Sequence, residues 1–170
     1  MRRWNGWGNE DSKLTMELSS GLCQLLESLV GPANPLPEIS LPQVIDSVPS
    51  SRLKDHPLIS LDAETRVRHA RGQSLPDWLA MHSGEIEAFP DGVALPTCSQ
   101  QVRELLNYAT THNIAVIPYG GGTSVVGHIN PNASSQPVLT ISMAQMNQLN
   151  NLDTTSNLAT FGAGAAGPEI

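Results

Sequence analysis

The sequence predicts an α+β fold, a small parallel sheet with one βαβ crossover, preceded by a helical and extended amino-terminal segment. Two observations carry this. Gly92-Val93-Ala94-Leu95-Pro96 and Ile114-Ala115-Val116-Ile117-Pro118 are short apolar runs of buried-strand type, each closed by a proline. Between them Val102, Leu105, Leu106 and Ala109 recur at helical spacing, after Ser99 as a cap and before Asn113 as a left-handed stop. Strand, helix and strand so spaced make a parallel pair with a right-handed connection, and ligands of such units sit beyond the carboxyl ends of the strands.

The remaining elements follow in chain order. Residues 1–14 read as irregular, with Trp4 and Trp7 as aromatic anchors laid against another surface. Residues 15–30 predict a packing helix, capped by Thr15, with Leu18, Leu22, Leu25, Leu26 and Leu29 on one face. The prolines of residues 31–50 predict an extended path without helix or central strand. Arg66, Arg68, His69 and Arg71 form a local basic cluster, read as a solvated loop balanced by Asp62 and Glu64, or more sharply as a contact to an anionic group. A helical turn follows from Ser74 to Gly84. Val138-Leu139-Thr140-Ile141 and Leu158-Ala159-Thr160-Phe161 are further strand candidates. This divides the chain into 1–60, a helix and proline-rich segment; 61–91, a connecting helical segment; and 92–170, a ligand-binding subdomain.

Composition excludes several classes. The 170 residues carry a net charge of −7 with only 9 Lys and Arg, which leaves no basic stripe for a nucleic-acid backbone. No apolar run approaches the roughly 18 residues of a membrane span. Met1-Arg2-Arg3-Trp4 has no apolar run behind it and is no secretory signal. Cys23 and Cys98 stand far apart, which fits a reducing, cytoplasmic compartment. The scattered His residues give no metal site.

The chemistry-bearing candidate is Gly120-Gly121-Gly122-Thr123-Ser124, directly after a strand. Glycines let the backbone approach a ligand, successive N–H groups make an anion-binding concavity, and the hydroxyls add donors. No Lys or Arg lies between Leu105 and Pro168, so a phosphate held here falls to backbone amides, hydroxyls and His128. Thr123 stands where a Walker loop needs Lys, which disfavours phosphoryl transfer and leaves a spectator diphosphate. From spacing alone a flexible surface turn stands equally beside this reading. Gly162-x-Gly164-x-x-Gly167 matches the dinucleotide fingerprint literally, but follows an earlier βαβ unit instead of opening one, which argues against nicotinamide binding. Asp153 reads as a turn residue.

These pieces resemble a known family. Pro96-Thr97-Cys98, the helix after it, and Ile117-Pro118-Tyr119-Gly120-Gly121-Gly122-Thr123-Ser124-Val125 are similar to the first part of an FAD-binding domain of the vanillyl-alcohol-oxidase (PCMH) type. Trp4-Asn5-Gly6-Trp7-Gly8, His69-Ala70-Arg71-Gly72-Gln73-Ser74-Leu75 and Gln145-Met146-Asn147 resemble its alkyldihydroxyacetonephosphate synthase branch. Where the family often has Asp-Thr-Ser before the Gln, this chain has Ser142-Met143-Ala144. The resemblance implies FAD as cofactor, held by Pro118, Tyr119, Gly120, Gly121, Gly122, Thr123, Ser124, Val125 and Met146. It also implies that the glycine fingerprint is a coincidental strand-to-helix turn. It implies an enzyme of ether-lipid synthesis that exchanges an acyl group for a long-chain alcohol on dihydroxyacetone phosphate, with a small-molecule or lipid substrate and room for a homodimer. The expected catalytic Tyr and His have no counterpart here, so the chain reads as an amino-terminal portion, with no catalytic residue and little affinity for FAD in isolation. The alternatives are an FAD-dependent 2-hydroxy-acid (lactate or glycolate) dehydrogenase, a non-enzymatic binding module, and a nicotinamide enzyme.

Overall fold

A computed structural model describes residues 2–11, 18–34 and 37–167. In chain order these form α1 (Ser20–Val30), α2 (Leu41–Ser47), β1 (Ile59–Ser60), α3 (Ala63–Arg68), α4 (Leu75–Ser83), β2 (Gly92–Ala94), α5 (Ser99–Thr111), β3 (Ala115–Tyr119), β4 (Val138–Ser142), β5 (Leu149–Asp153) and β6 (Leu158–Phe161). The main sheet runs β1-β2-β4-β3, and β5 pairs with β6 in a separate antiparallel hairpin.

The predicted βαβ unit is present with two changes: Ser99 is the first residue of α5 and not its cap, a position that Cys98 takes without a side-chain hydrogen bond, and a further strand is inserted between the two expected ones. β2 and β3 are both parallel to β4, which lies between them. β4 is the central strand and is buried at every position, as its unbroken apolar and Thr run requires. β3 is therefore an edge strand, partly exposed, not the buried strand expected; Pro118 lies exposed there, where its missing N–H breaks no interior ladder. β1 adds antiparallel to the other edge through Ile59↔Ala94. The core unites Ile59, Ala94, Leu139 and Ile141 of the sheet with Leu105 and Ala109 of α5. Leu106, expected on that face, is 45% exposed. Asn113 takes the left-handed conformation after α5 at φ 53°.

Three expectations for the amino-terminal half are corrected. Residues 31–50 hold a helix, α2: Pro42 sits in its first turn, where a missing N–H is harmless, and the Ser40 N–H and hydroxyl both donate to Gln43 Oε1. The basic cluster is not a solvated loop. Arg66 and Arg68 belong to α3, capped by Asp62 accepting from the Thr65 N–H, and Arg66 is buried, donating to the carbonyls of Pro90 and Pro49. Finally α1 begins after the Ser19 cap and buries none of its residues; Leu25 and Leu29 are 53% and 70% exposed. Periodicity announces an apolar face but not a partner for it. The expected cap Thr15 lies outside the described residues.

α4 is capped as predicted, with Ser74 accepting from the Asp77 N–H and Gly84 closing it in the left-handed conformation. The β5–β6 turn is closed by Asp153, which accepts from the N–H groups of Thr155 and Ser156.

Candidate functional site

The parallel register pairs Tyr119 with Ser142 at the carboxyl ends of β3 and β4. A cleft of about 440 Å³ opens at that edge. One wall is Tyr119-Gly120-Gly121; the floor includes Ser142 and Ala144. The opposite wall comes from two distant stretches, residues 2–4 and the segment from Val67 to Gln73. Residues 163–166 complete the rim.

Backbone contacts explain why these stretches meet. The Gln73 N–H donates to the Ser124 carbonyl at 2.6 Å, and the Gly72 N–H donates to Asn130 Oδ1. A Cβ on Gly72 would lie 2.4 Å from the Ser124 oxygen, so only glycine lets segment and loop approach this closely. At the amino terminus Arg2 bridges to Asn9, and its guanidinium donates to the carbonyls of Gly121 and Gly122.

The glycine loop has the properties of an anion cradle. A Cβ on Gly120 would meet nothing within 4 Å, and one on Gly121 only a Thr123 methyl at 3.8 Å. The N–H groups of residues 120–124 make no hydrogen bond among the described residues. Backbone close to open space with uncommitted donors suits an oxyanion. Two buried polar atoms of residues that line the same cleft also lack a partner among the described residues: Arg71 Nε and Ser142 Oγ. Amide, guanidinium and hydroxyl donors around one cleft match the chemistry of a diphosphate.

The expectation that no side-chain cation serves this loop is overturned. Arg2, Arg3, Arg68 and Arg71 all line the cleft. They lie far earlier in the chain, Arg71 the nearest of them to the loop in sequence, beyond the reach of any local charge count. His128 is instead exposed, its Nδ1 3.3 Å from Ser124 Oγ.

The predicted residues separate into groups. Tyr119, Gly120 and Gly121 line the cleft, and Gly122 is buried behind them at φ +66°. Thr123 is exposed, and Ser124 docks the 72–73 segment through its carbonyl. Val125 borders a second, shallower cavity shared with Arg71, Asp77 and Asn130. Met146 lines a separate cavity of about 140 Å³ with Cys98, Ser99 and Gly162.

The glycine fingerprint does other work. The N–H groups of Gly162 and Gly164 donate to the carbonyls of Gln148 and Met146, so neither is available to a phosphate. Their missing Cβ atoms let this turn pack on backbone and bring Ala163, Ala165 and Ala166 to the rim. Sequence reasoning did not assign this stretch to the cleft.

His69 sits against Tyr119, ring centroids 4.6 Å apart. Its Nδ1 lies 2.8 Å from the Thr65 carbonyl and so carries a proton that it donates there. Burial pushes the imidazole below its ordinary range, and the Arg2 and Arg68 cations push the same way, so His69 is neutral at pH 7. Burial pushes the Tyr119 phenol up, against the opposing effect of Arg2. Its hydroxyl donates to the Arg68 carbonyl.

Comparison with known proteins agrees with this geometry. Residues 90–170 match the family described as FAD binding domain. An alkyldihydroxyacetonephosphate synthase of Trypanosoma brucei brucei is 36% identical over 114 residues, 66% of this chain and 19% of the relative. That of Dictyostelium discoideum is 27% identical over 202 residues, 99% of this chain and 33% of the relative. A solved structure of an alkyldihydroxyacetonephosphate synthase superposes with a TM-score of 0.75 at 26% identity, over 99% of this chain and 37% of that one. The chain spans a third or less of the length of these two curated relatives. Residues 90–170 thus match an FAD binding domain, which indicates FAD as the cofactor of this fold, and the chain as a whole is built like the matching part of an alkyldihydroxyacetonephosphate synthase.

Proposed function

We propose that this chain supplies the diphosphate-binding part of a flavin-dependent enzyme that makes alkyldihydroxyacetone phosphate. The observation that carries the reading is the cleft at the carboxyl ends of β3 and β4, where uncommitted loop amides face the orphaned Arg71 and Ser142 donors. Residues 118–125 form the cofactor loop, with the N–H groups of residues 120–124 as its donors, and Met146 serves the site from outside the cleft, its carbonyl holding the Gly164 N–H at the rim. Residues 1–60 and 61–91 contribute the opposing wall, and residues 92–170 the loop. Bound FAD supplies the isoalloxazine electrophile. The chain's own part is to orient the diphosphate and to shield it from water with Trp4 and Tyr119. None of its residues is assigned a catalytic role. The substrate is a phosphorylated small molecule bearing a lipid chain, and the enzyme works as a homodimer in a reducing cytoplasm, in keeping with the unpaired, exposed Cys23 and Cys98. Among the described residues no helix is long and apolar enough to cross a membrane.

The test is titration of the intact protein with FAD, followed by assay with acyl-dihydroxyacetone phosphate and a long-chain alcohol. Stoichiometric flavin and an alkyl ether product are expected. Gly120→Ala and Gly121→Ala lower FAD affinity at unchanged stability, because each methyl enters space reserved for ligand. Flavin reduction by D-lactate with no ether product would replace this reading by the 2-hydroxy-acid dehydrogenase.

A further inference from the structure

The family match begins at residue 90, yet the wall facing the glycine loop lies before it. The cations of that wall differ in what already holds them. Arg66 is committed to the Pro90 and Pro49 carbonyls. Arg68 is held by Glu64 at 2.8 Å, by Glu10 at 3.1 Å and by the Arg2 carbonyl. Arg2 is held by the loop carbonyls, and Arg3 Nε donates to the Asn9 carbonyl.

Arg71 is different. Its side chain is only 13% exposed, its Nε has no partner, and its Nη1 stands 4.0 Å from Asp77 Oδ1, beyond hydrogen-bond reach. That carboxylate is already engaged: Oδ2 accepts from the Ser74 N–H and hydroxyl, and Oδ1 accepts from Asn130 at 2.6 Å. A guanidinium buried with an unmet donor is unfavourable until an anion arrives. Ser142, fully buried, carries a second side-chain oxygen without a partner among the described residues, and it lines the same cleft. These are two independent side chains, from the 67–73 segment and from β4, in one cavity with the uncommitted loop amides.

We propose that Arg71 and Ser142 form a side-chain subsite for the FAD diphosphate, so that the cofactor site of this chain extends beyond its family domain. Arg71 supplies a charge-assisted, forked contact to the phosphate oxygens. Ser142 donates its hydroxyl from the floor. The inference rests on the FAD reading above.

The experiment uses apoprotein prepared from the intact protein, titrated with FAD, ADP and riboflavin. Arg71→Gln is expected to weaken FAD and ADP at least about tenfold and to leave riboflavin, which has no phosphate, unchanged. Arg71→Lys keeps the charge without the fork and falls between. Ser142→Ala separates binding from folding. Its hydroxyl satisfies nothing in the protein, so the apoprotein melts at the same temperature or higher while FAD affinity drops. Arg103→Gln, on the exposed side of α5, is the control and leaves all three affinities unchanged. Equal FAD affinity in wild type, Arg71→Gln and Ser142→Ala overturns the subsite and leaves the FAD reading standing. Riboflavin affinity lost in step with ADP affinity overturns the subsite too, because Arg71 would then act through the fold. No FAD binding by the wild-type protein overturns both.

Discussion

A Cβ placed on Gly122 would stand 2.0 Å from the Tyr119 hydroxyl oxygen and 2.5 Å from Cζ, with the backbone at φ +66°. The tyrosine ring thus seats the loop at a conformation that L side chains rarely adopt. Gly122→Ala meets backbone strain and overpacking together, and a loss of about 2–4 kcal/mol is expected in urea unfolding. Gly120→Ala, with open space around it, changes stability by less than about 0.5 kcal/mol. Equal losses at the two positions would show that Tyr119 does not seat the loop.

The glycine fingerprint gives a contrast within one motif. Added Cβ atoms on Gly162 and Gly164 would stand 1.9 Å and 1.8 Å from the carbonyl oxygens of Met146 and Met143, whereas one on Gly167 would meet nothing within 4 Å among the described residues. Rigid backbone cannot move aside as a side chain can. Gly162→Ala and Gly164→Ala are expected to cost at least about 2 kcal/mol each, and Gly167→Ala close to nothing. A dinucleotide fingerprint would instead make all three matter for ligand affinity, so FAD titration of Gly167→Ala discriminates.

Asp91 joins the stretch before β1 to β4. Its carboxylate accepts from Arg52 Nε and Nη2 at 2.8 and 2.7 Å, from the Arg52 N–H, and from the buried Val138 N–H at 2.7 Å. Burial raises this acid, but those hydrogen bonds outweigh it and hold the carboxyl below its ordinary range. Asp91→Ala strands the Val138 donor and is expected to cost about 2–3 kcal/mol in denaturant unfolding. The ion pair adds little of this, since Arg52 is 43% exposed. A depressed acid stabilises above its unfolded pKa. This contribution is therefore complete above about pH 4 and fades as pH falls through the folded value.

His69 has the opposite chemistry and a separate window. Its folded pKa lies below the unfolded value near 6.5, so below that pH the unfolded chain binds more protons and folding weakens. The melting temperature is expected to hold from pH 8 to about 6.5 and then to fall. His69→Gln, which keeps a donor toward Thr65, flattens the drop above pH 5. A wild-type melting temperature constant from pH 7 to 5 would contradict the burial of a neutral imidazole beside Arg2, Arg68 and Tyr119.

Where the sequence was readable, the signal was local. The α5 face at Leu105 and Ala109, the Ser74 cap, the Asn113 stop and the run from Val138 to Ile141 each express a preference of a few neighbouring residues. Where it misled, a distant partner decided. Insertion of β4 between β2 and β3 made β3 an edge. Pro42 is the local exception: it is compatible with a helix because it sits in the first turn, and the neighbouring Ser40 and Gln43 close that turn.

The chain's covalent order alone determined that a glycine-rich turn follows a strand and that no cation lies near it along the chain. Composition and spacing carry that much, because backbone freedom and strand propensity are properties of short stretches. Only the tertiary structure decided that Arg2, Arg68 and Arg71 surround the turn, since the contacts between Gln73 and Ser124 and between Arg2 and Gly121 close loops of many tens of residues. It likewise decided that Gly162 and Gly164 are packing residues. Hydrogen bonding is exclusive: an N–H that holds the Gln148 or Met146 carbonyl cannot also hold a phosphate.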